Sequence, residues 1–353
     1  MAESTDIERY LVRENTRMIE AMETIDRGAK GAAVVIDSER HVVGIVTDGD
    51  IRRYILRKRD LNRPIIDTAN KNFVSITPDK ADQSDEVMEW YGINILPVVD
   101  EEKVLRAIFF RDDVITEQSG QKVDAPVVIM AGGKGTRLYP YTQVLPKPLI
   151  PVHGVPITMH IMNRFTKYGA SEFVMIVNHQ KELIKAYYSD PNFPYKIRFV
   201  DEEIPLGTAG GLKLYSSQMR VNRSFFMTNC DILIDCNYAE VYEFHQSHSN
   251  LITVVCALKK EVIPYGTITL NEDGYLEKII EKPEHSYLIN TGFYVIHPKA
   301  LDYSANHEVL TMPELMERCV AKGEKVGVFP ISASHWEDMG TIDLLNKMEN
   351  KLL

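Results

Sequence analysis

Hydrophobic positions along this chain follow two rhythms. Met18, Ile19, Met22 and Ile25 recur at helical spacing. Unbroken apolar runs occur at 125–130, Phe173–Val177, Phe225–Thr228, Ile252–Ala257 and Phe293–Ile296. Runs this short and continuous predict strands buried on both faces, because a half-exposed strand would alternate with polar residues. Helix-like patterns fall between them, as at His160–Tyr168 and Asp235–His248. The alternation predicts an α/β fold with right-handed βαβ units around a mixed, mainly parallel central sheet. Ligands of such a sheet bind at the carboxyl ends of its strands. Polar stretches at Asp60–Pro64 and Gln118–Ala125 interrupt the periodicity. The second marks a linker at 119–125 between a first domain, 1–118, and a second, 126–353.

The first domain repeats itself. A shift of 63 positions lays Gly31–Ile51 over Asn94–Val114 without a gap, with identities at Val35/Val98, Asp37/Asp100, Glu39/Glu102, Ile45/Ile108 and Asp50/Asp113. Each copy reads as an amphipathic helix, an apolar strand, an acidic turn, a second strand and an Asp-bearing turn. With its turn Gly44-Ile45-Val46-Thr47-Asp48-Gly49-Asp50-Ile51, the pair resembles a tandem CBS-domain module of mixed α and β structure. The resemblance implies an adenine-nucleotide site (AMP, ADP or ATP) at Thr47, Asp48 and Asp50, with Asp50 accepting the ribose hydroxyls and Thr47 reaching ribose or phosphate. The second copy keeps Asp113 but has Phe110-Arg111-Asp112 in place of the threonine turn. One nucleotide per pair is therefore expected, as is a regulatory role.

The strand run ending at Met130 leads into Ala131-Gly132-Gly133-Lys134-Gly135-Thr136-Arg137, with Lys147-Pro148 shortly after. Glycines bring backbone N–H groups onto a phosphate chain because no side chain intervenes. The spacing matches neither the dinucleotide fingerprint nor the P-loop of nucleotide triphosphatases. Further blocks follow in order: Pro205-Leu206-Gly207-Thr208-Ala209-Gly210-Gly211, Asn229-Cys230-Asp231, Glu281-Lys282-Pro283, Asn290-Thr291-Gly292 and Trp336 to Thr341. From about residue 125 to 350 the chain resembles the sugar-phosphate nucleotidyltransferases, which join a nucleoside triphosphate to a sugar 1-phosphate and release pyrophosphate. A Rossmann-like domain is implied. The resemblance places the nucleotide on Ala131, Gly132, Gly133, Gly135, Thr136, Glu202, Leu206, Gly207, Thr208 and Gly210. It gives Arg137 and Lys147 to the transferring phosphate, and Asp231 and Asp338 to Mg²⁺ or Mn²⁺. The sugar phosphate falls to Gly266, Glu281, Lys282 and Asn290.

Two anionic substrates must meet, so charge neutralisation is the chemical problem, and fixed cations and a divalent ion solve it. No general base is needed, since a phosphomonoester with second pKa about 6 is already a nucleophile at neutral pH. Ahead of Leu206 stand Asp201-Glu202-Glu203, where uridylyl- and thymidylyltransferases of the family carry glutamine. A carboxylate pairs with two adjacent donors, which guanine presents and uracil does not. GTP is therefore expected, with Glu202 ahead of Glu203, and the attached CBS pair is similar to enzymes that make GDP-glucosamine in nonulosonate (legionaminic acid) pathways. The alternatives are uridylyl or thymidylyl transfer, a mannose- or heptose-1-phosphate guanylyltransferase, or a catalytically weak nucleotide sensor. A glycosyltransferase of similar fold would need an Asp-x-Asp motif, and Asn229-Cys230-Asp231 offers one carboxylate.

Length and composition bound the rest. The 353 residues are 44% hydrophobic and 25% charged with a net charge of −10, which argues against a nucleic-acid surface. The amino terminus lacks the apolar core of a signal peptide and no run approaches a membrane span, so a cytoplasmic protein with no membrane partner is expected. Cys230, Cys236, Cys256 and Cys319 lack paired spacing and are expected as thiols rather than disulfides or metal ligands. A homo-oligomer is expected; no hexapeptide repeats follow, so no attached acyltransferase is.

Overall fold

The computed structural model describes residues 7–28, 30–58, 61–111, 122–191 and 193–351. The chain divides into two compact units between Ser119 and Gly120. Asp113 and the first part of the expected linker, 119–121, lie outside the described residues.

In the amino-terminal unit, β1 (Leu11–Arg13), α1 (Met18–Gly28), β2 (Ala32–Ile36), β3 (Val42–Thr47) and α2 (Asp48–Lys58) are followed by α3 (Ser84–Tyr91), β4 (Ile95–Val99) and β5 (Leu105–Phe110). The 63-residue repeat is a repeat of geometry. Ala32 pairs with Thr47 and Ile95 with Phe110, and the two hairpins break register at equivalent points, Val35/Ile36 and Val98/Val99. Each acidic turn is closed the same way. Asp37 Oδ1 accepts the N–H groups of Glu39 and His41, both at 2.9 Å. Asp100 Oδ1 accepts those of Glu102 and Val104, at 3.1 and 2.9 Å. Arg40 and Lys103 hold the matching left-handed positions, with φ of 70° and 65°. The two turns then pair with each other, His41 opposite Val104; these are equivalent positions, so the copies are related by a local twofold.

The second unit runs β6 (Val127–Met130), α4 (Tyr141–Val144), β7 (Pro151–Val152), β8 (Val155–Pro156), α5 (Ile157–Thr166), β9 (Phe173–Val177), α6 (Lys181–Tyr188), β10 (Ile197–Asp201), α7 (Gly207–Met219), β11 (Phe225–Asn229), β12 (Ile232–Ile234), α8 (Tyr238–Ser247), β13 (Ile252–Val262), β14 (Thr267–Leu270), β15 (Leu276–Ile280), β16 (Glu284–Ile296), α9 (Met312–Ala321), β17 (Val326–Ser332), β18 (Trp336–Asp338) and α10 (Ile342–Lys351). The central sheet has the order β10-β9-β6-β11-β16-β13-β17. It is mainly parallel, with β16 antiparallel to both of its neighbours. Val127 and Ile129 face one core, with Phe165, Phe173 and Phe293, while Val128 faces a second, with Val174, Phe225 and Leu315. Burial on both faces is why these strands read as continuous apolar runs.

The helices expected at 160–168 and 235–248 occupy Ile157–Thr166 and Tyr238–Ser247. For the second, Asn237 caps the helix by accepting the N–H groups of Ala239 and Glu240, and the start moves to that cap. Strands β13 and β16 run well past their apolar stretches, and β14 and β15 form a separate hairpin between them. All four cysteines are free thiols; Cys236 is half-buried and the others are buried. Among the described residues no helix is long and apolar enough to cross a membrane.

Candidate active site

The glycine loop leaves β6 at the carboxyl end of the parallel strands. Ala131 is buried and donates its N–H to Ile176 O on β9 at 2.8 Å, which ties the loop to the sheet. Gly135 has φ 64°, and a Cβ there would meet Thr142 Cγ2 at 2.9 Å. Thr142 in turn donates to Gly135 O at 2.7 Å, holding the turn that presents Arg137. Gly133 and Thr136 are exposed at its outer edge.

Arg137 lines a cavity of about 380 Å³ together with Thr208, Asp231, Asn290 and Asp338. Backbone pairing brings the two aspartates together. Ile232 sits opposite Asp338 in the β12–β18 ladder, and Met339 donates to Asp231 O at 2.8 Å. Lys147 makes an ion pair with the nearly buried Asp231 carboxylate. Its own backbone is fixed from below, because the buried Thr158 hydroxyl donates to Pro148 O at 2.7 Å and bonds the Tyr188 hydroxyl. Burial, and then the charge of Asp231, push the Asp338 carboxyl above its ordinary range, against the N–H of Gly340 and the cations Lys147 and Arg137. Two carboxylates held this close favour a bound cation. Among the described residues there is no cluster of three or more acidic, cysteine or histidine ligands, so a metal here draws on two carboxylates and substrate oxygens, as Mg²⁺ commonly does.

On the other side of the loop stands Glu202, at the end of β10. It is 6% exposed, whereas Asp201 pairs with Lys181 and Lys185 and Glu203 is a solvated partner of Lys181. Its side chain fits between two glycines. A Cβ on Gly132 would meet Glu202 Oε2 at 2.9 Å, and one on Gly211 would meet Oε1 at 2.6 Å. Oε1 has no hydrogen-bond partner. Burial pushes the Glu202 carboxyl up to about 7, opposed by a hydrogen bond from the Leu206 N–H.

The glycines of the Leu206–Gly211 block have a second use. Ala209 and Gly210 donate to Leu310 O at 3.0 and 3.2 Å, and a Cβ on Gly207 would meet that oxygen at 2.7 Å. Gly207 and Gly210 thus admit the 308–310 backbone against the start of α7, and Thr208 is the residue of this block that reaches the cavity. Asn290 exchanges hydrogen bonds with the Tyr294 hydroxyl and accepts from Gly292 N–H at 3.0 Å. Gly266, Glu281 and Lys282 lie apart from the cavity lining, at the base of the β14–β15 hairpin. A Cβ on Gly266 would meet Glu281 Oε2 at 2.7 Å, and Lys282 has φ 46°. Sequence reasoning missed Asn229, Tyr294 and Trp336, which line the cavity; the spacing Asn229-x-Asp231 was the available signal for the first.

In the amino-terminal unit, Thr47 and Asp50 form the capping box of α2. Thr47 N–H and Oγ1 donate to Asp50 Oδ2 at 3.0 and 2.7 Å, and Asp50 N–H donates to Thr47 Oγ1 at 3.2 Å. Asp48 occupies the first helical position, its N–H on Gly31 O at 3.1 Å.

Residues 126–353 match the family model described as nucleotidyl transferase. The chain belongs to the nucleotidyl transferase family. Residues 6–57 match the CBS domain. The mannose-1-phosphate guanylyltransferase of Mycobacterium tuberculosis is 30% identical over 224 residues, 62% of each chain. The catalytic subunit beta of the Dictyostelium discoideum enzyme of the same name is 34% identical over 181 residues, 50% of each. The chain thus spans less than two thirds of these relatives. The nucleotidyl transferase fold is shared with HddC from Yersinia pseudotuberculosis complexed with GMP-PN, at TM-score 0.50 and 23% identity over 65% of this chain and 100% of that one.

Proposed function

We propose that this chain is a sugar-1-phosphate guanylyltransferase, converting GTP and an aminohexose or hexose 1-phosphate, of the GDP-glucosamine type, to a GDP-sugar and pyrophosphate. The observation that carries the base is Glu202. A buried carboxylate with an open oxygen, wedged between the glycine loop and α7, suits the adjacent N1–H and amino donors of guanine. Relatives named as guanylyltransferases support the same reading.

In the reaction a sugar-phosphate oxygen attacks the α-phosphorus in line; that P–O bond forms as the α–β P–O bond breaks, and pyrophosphate leaves. Arg137 and Lys147 supply fixed positive charge to the phosphoryl oxygens, and Lys147 needs little reorganisation because Asp231 and the Thr158–Pro148 contact already hold it. Asp231 and Asp338 would hold Mg²⁺ or Mn²⁺, which neutralises charge on attacking and leaving oxygens when bound. Glu281, Lys282 and Asn290 receive the sugar phosphate, and Gly266 offers backbone amides to it. The amino-terminal module takes an adenine nucleotide at Thr47, Asp48 and Asp50 and regulates transfer by binding two states of the enzyme unequally. Pyrophosphate release from each nucleoside triphosphate with Mg²⁺ and a panel including glucosamine 1-phosphate and mannose 1-phosphate tests the proposal. Release with GTP supports it; release from no combination overturns it.

A further inference from the structure

The β14–β15 hairpin is amphipathic in one direction. Ile268 pairs with Ile279 and Leu270 with Leu276 across the two strands, while Thr267, Thr269, Lys278 and Ile280 take the opposite side. The four aliphatic side chains of the first row are 57–63% exposed, and the flanking Tyr265 and Tyr275 are more exposed still. A two-stranded hairpin with an open apolar face is marginal in water and needs a partner surface for stability.

We propose that this row is an isologous interface, docking on the same row of a second copy of the chain. Two features select a second copy. The row carries no charge, its acidic and basic neighbours sitting on the opposite face, in the turn or at the Glu277 bulge, so packing it on itself about a twofold desolvates no ion. The six side chains also present on the order of 800 Å², the area each partner gives to a stable pairwise interface and above the largest apolar patch usual on a monomer. The contact matters to the site because Gly266 and Glu281 flank the hairpin and Lys282 follows it. Docking fixes the segment that carries the sugar-phosphate residues, a consequence that rests on the function proposed above.

Sedimentation of the full chain tests the interface without any assay of activity. The wild type should dimerise at micromolar concentration, and the double variant Ile268→Lys, Leu276→Lys should weaken association by about 100-fold, as expected when two buried anchors are replaced by like charges. Because the row is exposed, melting of each unit should be unchanged. Mixing that variant with Ile268→Glu, Leu276→Glu should restore a heterodimer, which happens only if the rows face one another. A wild type that stays monomeric, an unchanged association constant in the folded Lys variant, or a mixture that fails to associate overturns the proposal; the first outcome would point to cover by the chain's own amino-terminal unit. In the dissociated variant the KM for sugar 1-phosphate should rise about tenfold with that for GTP unmoved, the effect of losing one ordered contact. A chain inactive with every substrate would remove only that last arm.

Discussion

The carboxylate of Glu202 has one donor, the Leu206 N–H, and an oxygen, Oε1, that meets none. Burial raises its folded-state titration to about 7, from an ordinary 4.5. A base that brings two N–H donors binds the ionised form, so GTP affinity should climb as pH rises through about 7 and the climb should vanish in Glu202→Gln; calorimetry across that range reads both. The linked effect on folding has the opposite sign. A raised carboxyl binds more protons folded than unfolded, so its contribution to stability is present at low pH and lost as pH rises through the folded value. Asp231 sits in a different balance, its charge matched by Lys147 and pressed by Asp338. Asp231→Asn should cut turnover at least ~100-fold by removing charge that organises the transferring phosphate. A folded variant with wild-type turnover contradicts that role. Acidic residues 201–203 were legible as a group, but which one is buried was not, because it depends on Gly132 and Gly211 from elements far away in the chain.

At the scale of elements, the strand-loop-helix logic of the catalytic unit was readable wherever a strand is buried on both faces. It failed on the arm: residues 259–262 and 284–288 extend their strands without an apolar run, since they leave the core and have no face to bury. That arm separates Lys282 from the cavity lining. Lys282→Ala should accordingly raise the KM for sugar 1-phosphate more than that for GTP, and initial-rate kinetics with the reverse pattern would reassign it. In the amino-terminal unit the same residues serve two ends. Thr47 and Asp50 cap α2, so Asp50→Ala should cost about 1 kcal/mol of stability whether or not a nucleotide binds. Calorimetry with AMP, ADP and ATP on the full chain, beside thermal melts, separates the two. Binding that survives Asp50→Ala in a folded chain rules out the ribose role.

Over the whole molecule, the repeat is the feature sequence conveyed most completely. A 63-residue shift carries register, bulge, turn hydrogen bonds and left-handed residues from one copy to the other, because each is set by local turn chemistry rather than by distant packing. The active site is the reverse case: its chemistry-bearing residues were visible singly, while their grouping came from ladders such as β12–β18 that no local pattern announces. The central claim joins Glu202 to guanine and Asp231, Asp338, Arg137 and Lys147 to transfer. Its most direct test is kcat/KM for GTP against UTP with Mg²⁺ and a saturating sugar 1-phosphate, in the wild type and in Glu202→Gln. The account predicts a preference for GTP that falls by about 10- to 100-fold in the variant, the worth of a mismatched buried donor; a wild type that prefers UTP, or a preference untouched by Glu202→Gln, would contradict it.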